Sequence, residues 1–426
     1  MTPITNLPSG GAAIFWGVIT FSLLIVLHEG GHFLAARAFG IKVHEFMLGL
    51  PAPGLRWKSR RSGVTYGVTM LPLGGYVRIA GMEPGREDEL VEPALGMLAA
   101  RGRLDAADLA SALGIARERA NALLATLEDY GAAEQVPDSM QWAPLVVRAA
   151  GEDDAALLAR VRTTVYRGQP TWKRVTILAM GVLVNIVSAL VILTLALTLI
   201  GIPTPITRIA AVAAGSPAAN AGVQPGDTVT SFAGAKVSAW EDIRAALRTA
   251  KAGVPVDVIV LRGAATLTLK VAPTAKTGGG TFLGVTAGTR NVPMPLLGAI
   301  QQSFTMTGLV VVAIFNFFNP ATFTTSLQNA RSVVGISYEV ANAVQEGPLA
   351  YAWMVSLLSL SLGLMNVLPI PPLDGGKIAV EIGERIFGRR VPRKLSLAVS
   401  AAGTLLLFSL IFYLMYADVV RYIIKG

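Results

Sequence analysis

Apolar residues gather in four blocks long enough to cross a hydrocarbon core, which takes roughly 20 helical residues. They run from about Ala12 to Phe39, Val175 to Ile202, Pro348 to Leu373 and Leu395 to Tyr416. A fifth stretch, Asn291 to Ala330, carries no charge, and its apolar heart from Phe304 to Phe318 is about 15 residues long. That is short for a crossing, so it reads as an interfacial or re-entrant helix. Between the first two blocks the period changes. Strand-forming residues flank a Pro-Leu-Gly-Gly turn in 64–78, which predicts a β-hairpin. From Leu104 to Gly131 apolar residues recur at helical spacing with a break at Gly114, the pattern of a helix-turn-helix or winged-helix module. Short alternating runs such as Val256 to Arg262 and Leu267 to Val271 surround one helix, Trp240 to Lys251, and predict a β-rich domain over 203–290.

Composition turns these blocks into a membrane protein: 53% of residues are hydrophobic and only 15% are charged. The net charge of +9 then has to be placed by side. Arg37, Lys42, Arg56, Lys58, Arg60, Arg61, Arg167, Lys173 and Arg174 flank the loop between blocks one and two. Lys377, Arg385, Arg389, Arg390, Arg393 and Lys394 fill the loop between blocks three and four. By the positive-inside rule both loops are cytoplasmic, and the two termini and the β-rich domain are outside. A crossing by the fifth stretch would put the second basic cluster on the wrong side. The N-terminus lacks the basic n-region of a cleavable signal. Cysteine is absent, so any metal must be held by His, Asp or Glu.

Those residue types appear where lipid should be. His28-Glu29-Gly30-Gly31-His32 fits H-E-x-x-H, in which two histidines four apart share a helix face and can reach one Zn²⁺, with Glu29 placed to take a proton from water. Ionisable groups at membrane depth are costly and mark function. The third histidine, His44, reads as an ordinary loop residue. Catalytic zinc takes three protein ligands, and Asp374 is the outstanding third candidate. It closes block three in Asn366-Val-Leu-Pro-Ile-Pro-Pro-Leu-Asp-Gly-Gly376, whose prolines 369, 371 and 372 break the helix into an extended segment. A second role stays open for Asp374, as the cap of the following helix.

Taken together, H-E-x-x-H in the first block, N-x-x-P-x-P-x-L-D-G at 366–375, the Pro-Leu-Gly-Gly-Tyr-Val turn and an external domain resemble the site-2 protease family of intramembrane zinc metalloproteases, in its regulator-of-sigma-E branch. Within that domain, Gly215 to Val229 resembles the signature of bacterial protease PDZ domains. The resemblance implies that His28, His32 and Asp374 ligate one Zn²⁺, that Glu29 is the general base and that Asn366 lies near the substrate. It also implies that the hairpin, through Leu71, Leu73, Gly74, Gly75, Tyr76 and Val77, adds a strand to the unwound substrate. A plain solvent-exposed hairpin is the alternative. Asn185, in Gly181-Val-Leu-Val-Asn185, stands where the family has an active-site neighbour, although the proline that often follows the glycine is missing.

The expected architecture is a polytopic α-helical membrane protein with four transmembrane helices, a membrane-associated β-hairpin, one external PDZ-like domain and a winged-helix-like cytoplasmic insert. Its segments are 1–62 with the first helix, 63–82 the hairpin, 83–160 the insert, 161–202 the second helix and 203–290 the PDZ-like domain. Interfacial or re-entrant helices follow at 291–346, the third helix at 347–376, and a basic segment with the fourth helix at 377–426. The expected function is cleavage of single-span membrane proteins, an anti-sigma factor among them, in the bacterial inner membrane with the site near the cytoplasmic side. Lipid and peptide ends at the PDZ-like domain are the other partners, with Phe282 to Val285 as a groove candidate. The insert holds 15 acidic against 7 basic residues, the wrong sign for phosphate binding, so no nucleic acid is expected there. A non-cleaving metal-binding or chaperone-like protein is the competing reading.

Overall fold

The computed structural model describes residues 9–71, 74–82, 88–275, 280–389 and 391–420. The chain divides into two units, Thr194–Ile300 and the remainder. In the larger unit the Ser9 hydroxyl accepts the Ala12 N–H at 3.3 Å and opens α1 (Gly10–Ala38). Its buried residues, Ala13, Gly17, Thr20, Leu24, His28, Gly31, His32, Ala35 and Ala36, recur every three or four positions. That stripe is mostly small, which lets neighbouring helices approach closely.

Four strands follow: β1 (Val43–Leu48), β2 (Gly54–Lys58), β3 (Thr65–Thr69) and β4 (Gly75–Ile79), in the sheet order β2-β3-β1-β4. The expected hairpin is therefore corrected: β3 and β4 do not pair with each other. β1 lies between them, parallel to β3 and antiparallel to β4. A two-residue turn would close strands about 4.8 Å apart, whereas the longer link from Thr69 to Gly75 reaches over one intervening strand. The chain leaving β1 fastens that link, since Gly49 N–H donates to the Gly74 carbonyl at 2.8 Å and Leu50 N–H to the Leu71 carbonyl at 3.0 Å. The insertion of β1 is driven by burial, because Val43 and Met47 lie at 2% and 1% exposure, with Val43 in one cluster with Ile41, Val64, Ile79 and the α1 residues Ala35 and Ala36.

The acidic segment folds as α2 (Val91–Arg101), β5 (Leu104–Asp105), α3 (Ala106–Leu113), α4 (Arg117–Asp129), β6 (Ala133–Gln135), β7 (Gln141–Pro144) and α5 (Asp154–Arg162), with strand order β5-β7-β6. Leu95, Leu98, Leu109, Leu123, Leu124 and Leu157 form its core. Much of its acidity is spent locally. Asp105 and Asp153 cap α3 and α5, while Asp88 and Glu152 pair with Arg119 and Arg160. His44, expected as an ordinary loop residue, sits in β1 and holds this segment to the sheet. Its Nε2–H donates to the Asp129 carbonyl at 2.6 Å, and the Asp129 carboxylate accepts the Gly81 N–H at 2.7 Å and lies 3.7 Å from Arg78. The long helix α6 (Thr171–Leu199) follows and runs antiparallel to α1, with Asn185 beside His28 and Ile177 beside His32.

The unit Thr194–Ile300 contains β8 (Ile202–Val212), α7 (Pro217–Asn220), β9 (Thr228–Phe232), β10 (Ala235–Lys236), α8 (Trp240–Thr249), β11 (Val256–Arg262), β12 (Ala265–Val271), β13 (Thr274–Ala275), β14 (Thr281–Phe282) and β15 (Val285–Val292). The main sheet runs β12-β11-β9-β8-β15, with β10 on β9, and β13 pairs with β14 separately. Ile209, Val229, Phe232, Ile243, Val258 and Val260 form its core. Asp227, fully buried, is held by the Arg262 guanidinium at 2.8 Å.

After that unit come α9 (Leu296–Phe318), α10 (Phe323–Asn329), α11 (Val333–Glu346), α12 (Pro348–Val367), α13 (Asp374–Phe387) and α14 (Arg393–Val419). Among the described residues five helices are long and apolar enough to cross a membrane: α1, α6, α9, α12 and α14. The length argument against α9 therefore fails, because the helix has 23 residues. Direction still constrains it. The Ser359 hydroxyl of α12 donates to the Asn185 carbonyl at 2.9 Å, a Gly363 Cβ would lie 3.3 Å from the Val182 carbonyl, and Thr20 meets Tyr351 at 3.0 Å. So α12 is antiparallel to α6 and parallel to α1. Were both to span a bilayer, an even number of crossings would separate α6 from α12. Of the intervening helices, α10 has 7 residues and α11 14, and α11 packs on the N-terminal half of α1, where Gly17 leaves room for Ser337.

Candidate metal centre

The packed stripe of α1 carries the chemistry. His28 and His32 are 7% and 4% exposed, with Nε2 atoms 3.3 Å apart. Beyond α12 the chain leaves the helix at Leu368, and Asp374 begins α13. Its Oδ2 lies 3.0 Å from His28 Nε2 and 3.1 Å from His32 Nε2. Asp374 makes no capping bond to its own helix; the carboxylate points at the histidines, and Oδ1 meets Lys377 Nζ at 3.2 Å.

These three atoms fit a zinc ion. Ligands about 2.0–2.1 Å from a tetrahedral centre stand about 3.3 Å apart, close to the separations found. Two imidazole nitrogens and a carboxylate oxygen converging in an apolar interior form the donor set zinc takes, and they leave a fourth position free.

Helix α6 supports the cluster from behind. His32 Nδ1–H donates to the Ile177 carbonyl at 2.8 Å, and the Asn185 amide stands 3.3 Å from His28 Nδ1. Asn185 Nδ2 is the atom that faces Nδ1; with Nε2 turned to a metal, Nδ1 carries the proton, and exchanging the two amide atoms lets Oδ1 accept it. Without that exchange Oδ1 is buried without a partner. The approach of α1 to α6 is possible only without side chains at the contact. A Cβ on Gly31 would lie 2.5 Å from the Met180 carbonyl oxygen, and one on Gly181 2.5 Å from His32 Nε2.

Glu29 is outside the ligand cluster. Its Oε2 accepts the Val77 N–H of β4 at 3.1 Å. The Gly74-Gly75 pair makes this contact possible: Gly74 turns at φ +118°, and a Cβ on Gly75 would lie 2.6 Å from Ile25 of α1. The other expected site residues divide. Tyr76 donates its hydroxyl to Glu45 at 2.8 Å, and Leu71 is 51% exposed. Leu73 lies outside the described residues. Asn366 donates to the Leu362 carbonyl of its own helix at 3.0 Å and is not drawn into the cluster. Asn185, expected as an active-site neighbour, is fully buried beside His28. The Ile177 carbonyl and the Val77 N–H carry no sequence signal, being backbone groups. Gly31 and Gly181 could have been found from the small-residue stripe they extend.

Comparison with known proteins places this geometry. A model of peptidase family M50 matches residues 16–410. The chain belongs to peptidase family M50. This is the site-2 protease family that the paired motifs resemble. Metalloprotease MmpA of Caulobacter vibrioides is 25% identical over 433 residues, covering 95% of this chain and 94% of its own. The regulator of sigma-W protease RasP of Bacillus subtilis is 27% identical, with 95% and 97% covered. The zinc metalloprotease RasP of Bacillus licheniformis is 24% identical, with 95% and 98% covered. Family M50 membership is therefore carried by nearly the whole chain.

Proposed function

We propose that this protein is an intramembrane zinc endopeptidase that cleaves the transmembrane segments of single-span membrane proteins. The observation that carries it is the convergence of His28 and His32, on the apolar helix α1, with Asp374, delivered by the segment that follows the apolar helix α12. His28, His32 and Asp374 would hold the ion, with Ile177 and Asn185 fixing the imidazole rings and Lys377 the outer carboxylate oxygen. Bound zinc supplies polarisation of the scissile carbonyl and acidification of water. Glu29 would take the proton from water and return it to the leaving amine. The edge strand β4 would hold the substrate extended, since a helical segment hides its carbonyls. Asn366, one turn before the extended segment, would turn its amide to the substrate once a strand occupies that edge.

In the membrane, α1, α6, α12 and α14 would cross, with the cytoplasmic side at the C-terminal end of α1. The even crossing count between α6 and α12 supports reading α9 as re-entrant together with the return through α10. The unit Thr194–Ile300 would be the external PDZ-like domain. The insert, with its order of helix, strand, two helices and a two-stranded wing, would be a winged-helix-like cytoplasmic module for protein contacts. A cavity of about 630 Å³ is bordered by Pro371, Gly376 and Lys377, close in sequence to Asp374. The name of RasP from Bacillus subtilis ties that relative to sigma-W; by likeness an anti-sigma factor is the substrate class assigned here.

Glu29→Gln tests the assignment: zinc should stay bound, by metal analysis of the purified protein, while cleavage of a reporter transmembrane segment is lost. Cleavage at the wild-type rate by Glu29→Gln would exclude Glu29 as the base.

A further inference from the structure

The hydrogen bond between Glu29 and Val77 joins the proposed base to the proposed substrate strand. Among the described residues β4 pairs only with β1, which leaves its other edge without a strand neighbour. In an antiparallel strand successive residues direct their N–H and C=O groups to opposite edges. Val77 donates to Glu29 and therefore faces the open edge, as does Gly75 two residues earlier. Helix α1 covers one face of β4 at that point, because a Gly75 Cβ would be 2.6 Å from Ile25 and 3.7 Å from the Glu29 side chain, so Glu29 reaches the edge from that face. An extended substrate adding to β4 needs the Val77 N–H for one of its own carbonyls. The same N–H is held by the Glu29 carboxylate at 3.1 Å. One backbone donor cannot serve both acceptors at full strength.

We infer that the Val77 N–H is a substrate-released latch on Glu29: strand addition moves this hydrogen bond from Glu29 Oε2 to a substrate carbonyl, which frees the side chain to turn from β4 toward the water it deprotonates. The exchange breaks one hydrogen bond and makes another, with no proton transferred. Until a peptide is in place the carboxylate is therefore tethered to β4. The inference rests on the reading of β4 as the substrate strand.

The test compares two inactive variants of the zinc-loaded, full-length protein in lipid nanodiscs. The probe is a fluorescent, leucine-rich single-span peptide with a central Gly-Gly pair. Glu29→Gln keeps an oxygen that accepts from Val77; Glu29→Ala vacates the N–H. A latch predicts tighter probe binding by Glu29→Ala than by Glu29→Gln, by about threefold or more, since a net hydrogen bond is worth roughly 0.5–1.5 kcal/mol. Equal or weaker binding overturns it. Replacing the Val77 amide by an ester in the Glu29→Ala background removes the N–H while keeping the side chain. Weakened binding there shows that the edge takes the substrate, so a failure of the first comparison would then sink the latch alone. Unchanged binding sinks the edge reading and the latch with it.

Discussion

Asn185 offers the sharpest check on the support of the metal centre. The residue is fully buried on α6, its amide stands 3.3 Å from His28 Nδ1, and its own backbone carbonyl is occupied by Ser359. Replacing it by Leu keeps most of the volume and removes the acceptor. His28 Nδ1–H is then buried without a partner whenever Nε2 faces zinc, a penalty of about 1–3 kcal/mol. The penalty falls on the loaded state, because the ring of the metal-free protein can take the other tautomer. It therefore appears as a loss of roughly 10–100-fold in zinc affinity, the range seen when the groups behind a ligand are removed. Asn185→Asp retains an oxygen facing Nδ1 and should bind zinc within a few-fold of wild type. Affinity is measured by chelator competition in detergent at neutral pH, with circular dichroism confirming helix content. Wild-type affinity in Asn185→Leu, or equal losses in Leu and Asp variants, would refute the reasoning.

Further outcomes follow from the packing. Gly31→Ala puts a methyl group 2.5 Å from the Met180 carbonyl, so α1 and α6 must separate; a thermal-stability loss of about 1–3 kcal/mol is expected, with zinc affinity falling alongside, and a neutral result would mean the helices yield freely. Burial pushes the His44 imidazole below its ordinary pKa, against the opposing pull of Asp129 and with help from Arg78 and Lys42. The neutral form is thus favoured in the docked state, so stability is full above about pH 6.5 and is lost as pH falls through the folded pKa. Hydrogen exchange at the end of α4 should rise on acidification in wild type but not in His44→Gln. The Arg262 guanidinium holds the Asp227 carboxyl below the usual carboxylate range, so Arg262→Met should lower the stability of the unit Thr194–Ile300 in denaturant unfolding, and Asp227→Asn in that background should recover part of the loss.

The apolar blocks, the positions of the ligand set and the helical spacing of the insert were legible along the chain, because each depends on local composition or on a short period. His28 and His32 are four apart on one helix, and Pro369 to Pro372 stop another wherever they stand. The start of α9 was misjudged because Leu296 to Ser303 mixes polar and apolar residues that only the helix they join makes regular. The order β2-β3-β1-β4 could not be read, since a strand inserted between β3 and β4 is chosen by which apolar faces cover α1, and strand pairing leaves no trace in a turn. Asn185 was legible as an active-site neighbour but not as the support behind His28, because the sequence shows an amide at membrane depth and not which side of the imidazole it approaches. The grip of Val77 on Glu29 and of Ile177 on His32 came from the tertiary structure alone, because backbone groups are the same at every residue and acquire a role only from what the fold brings within hydrogen-bonding distance of them.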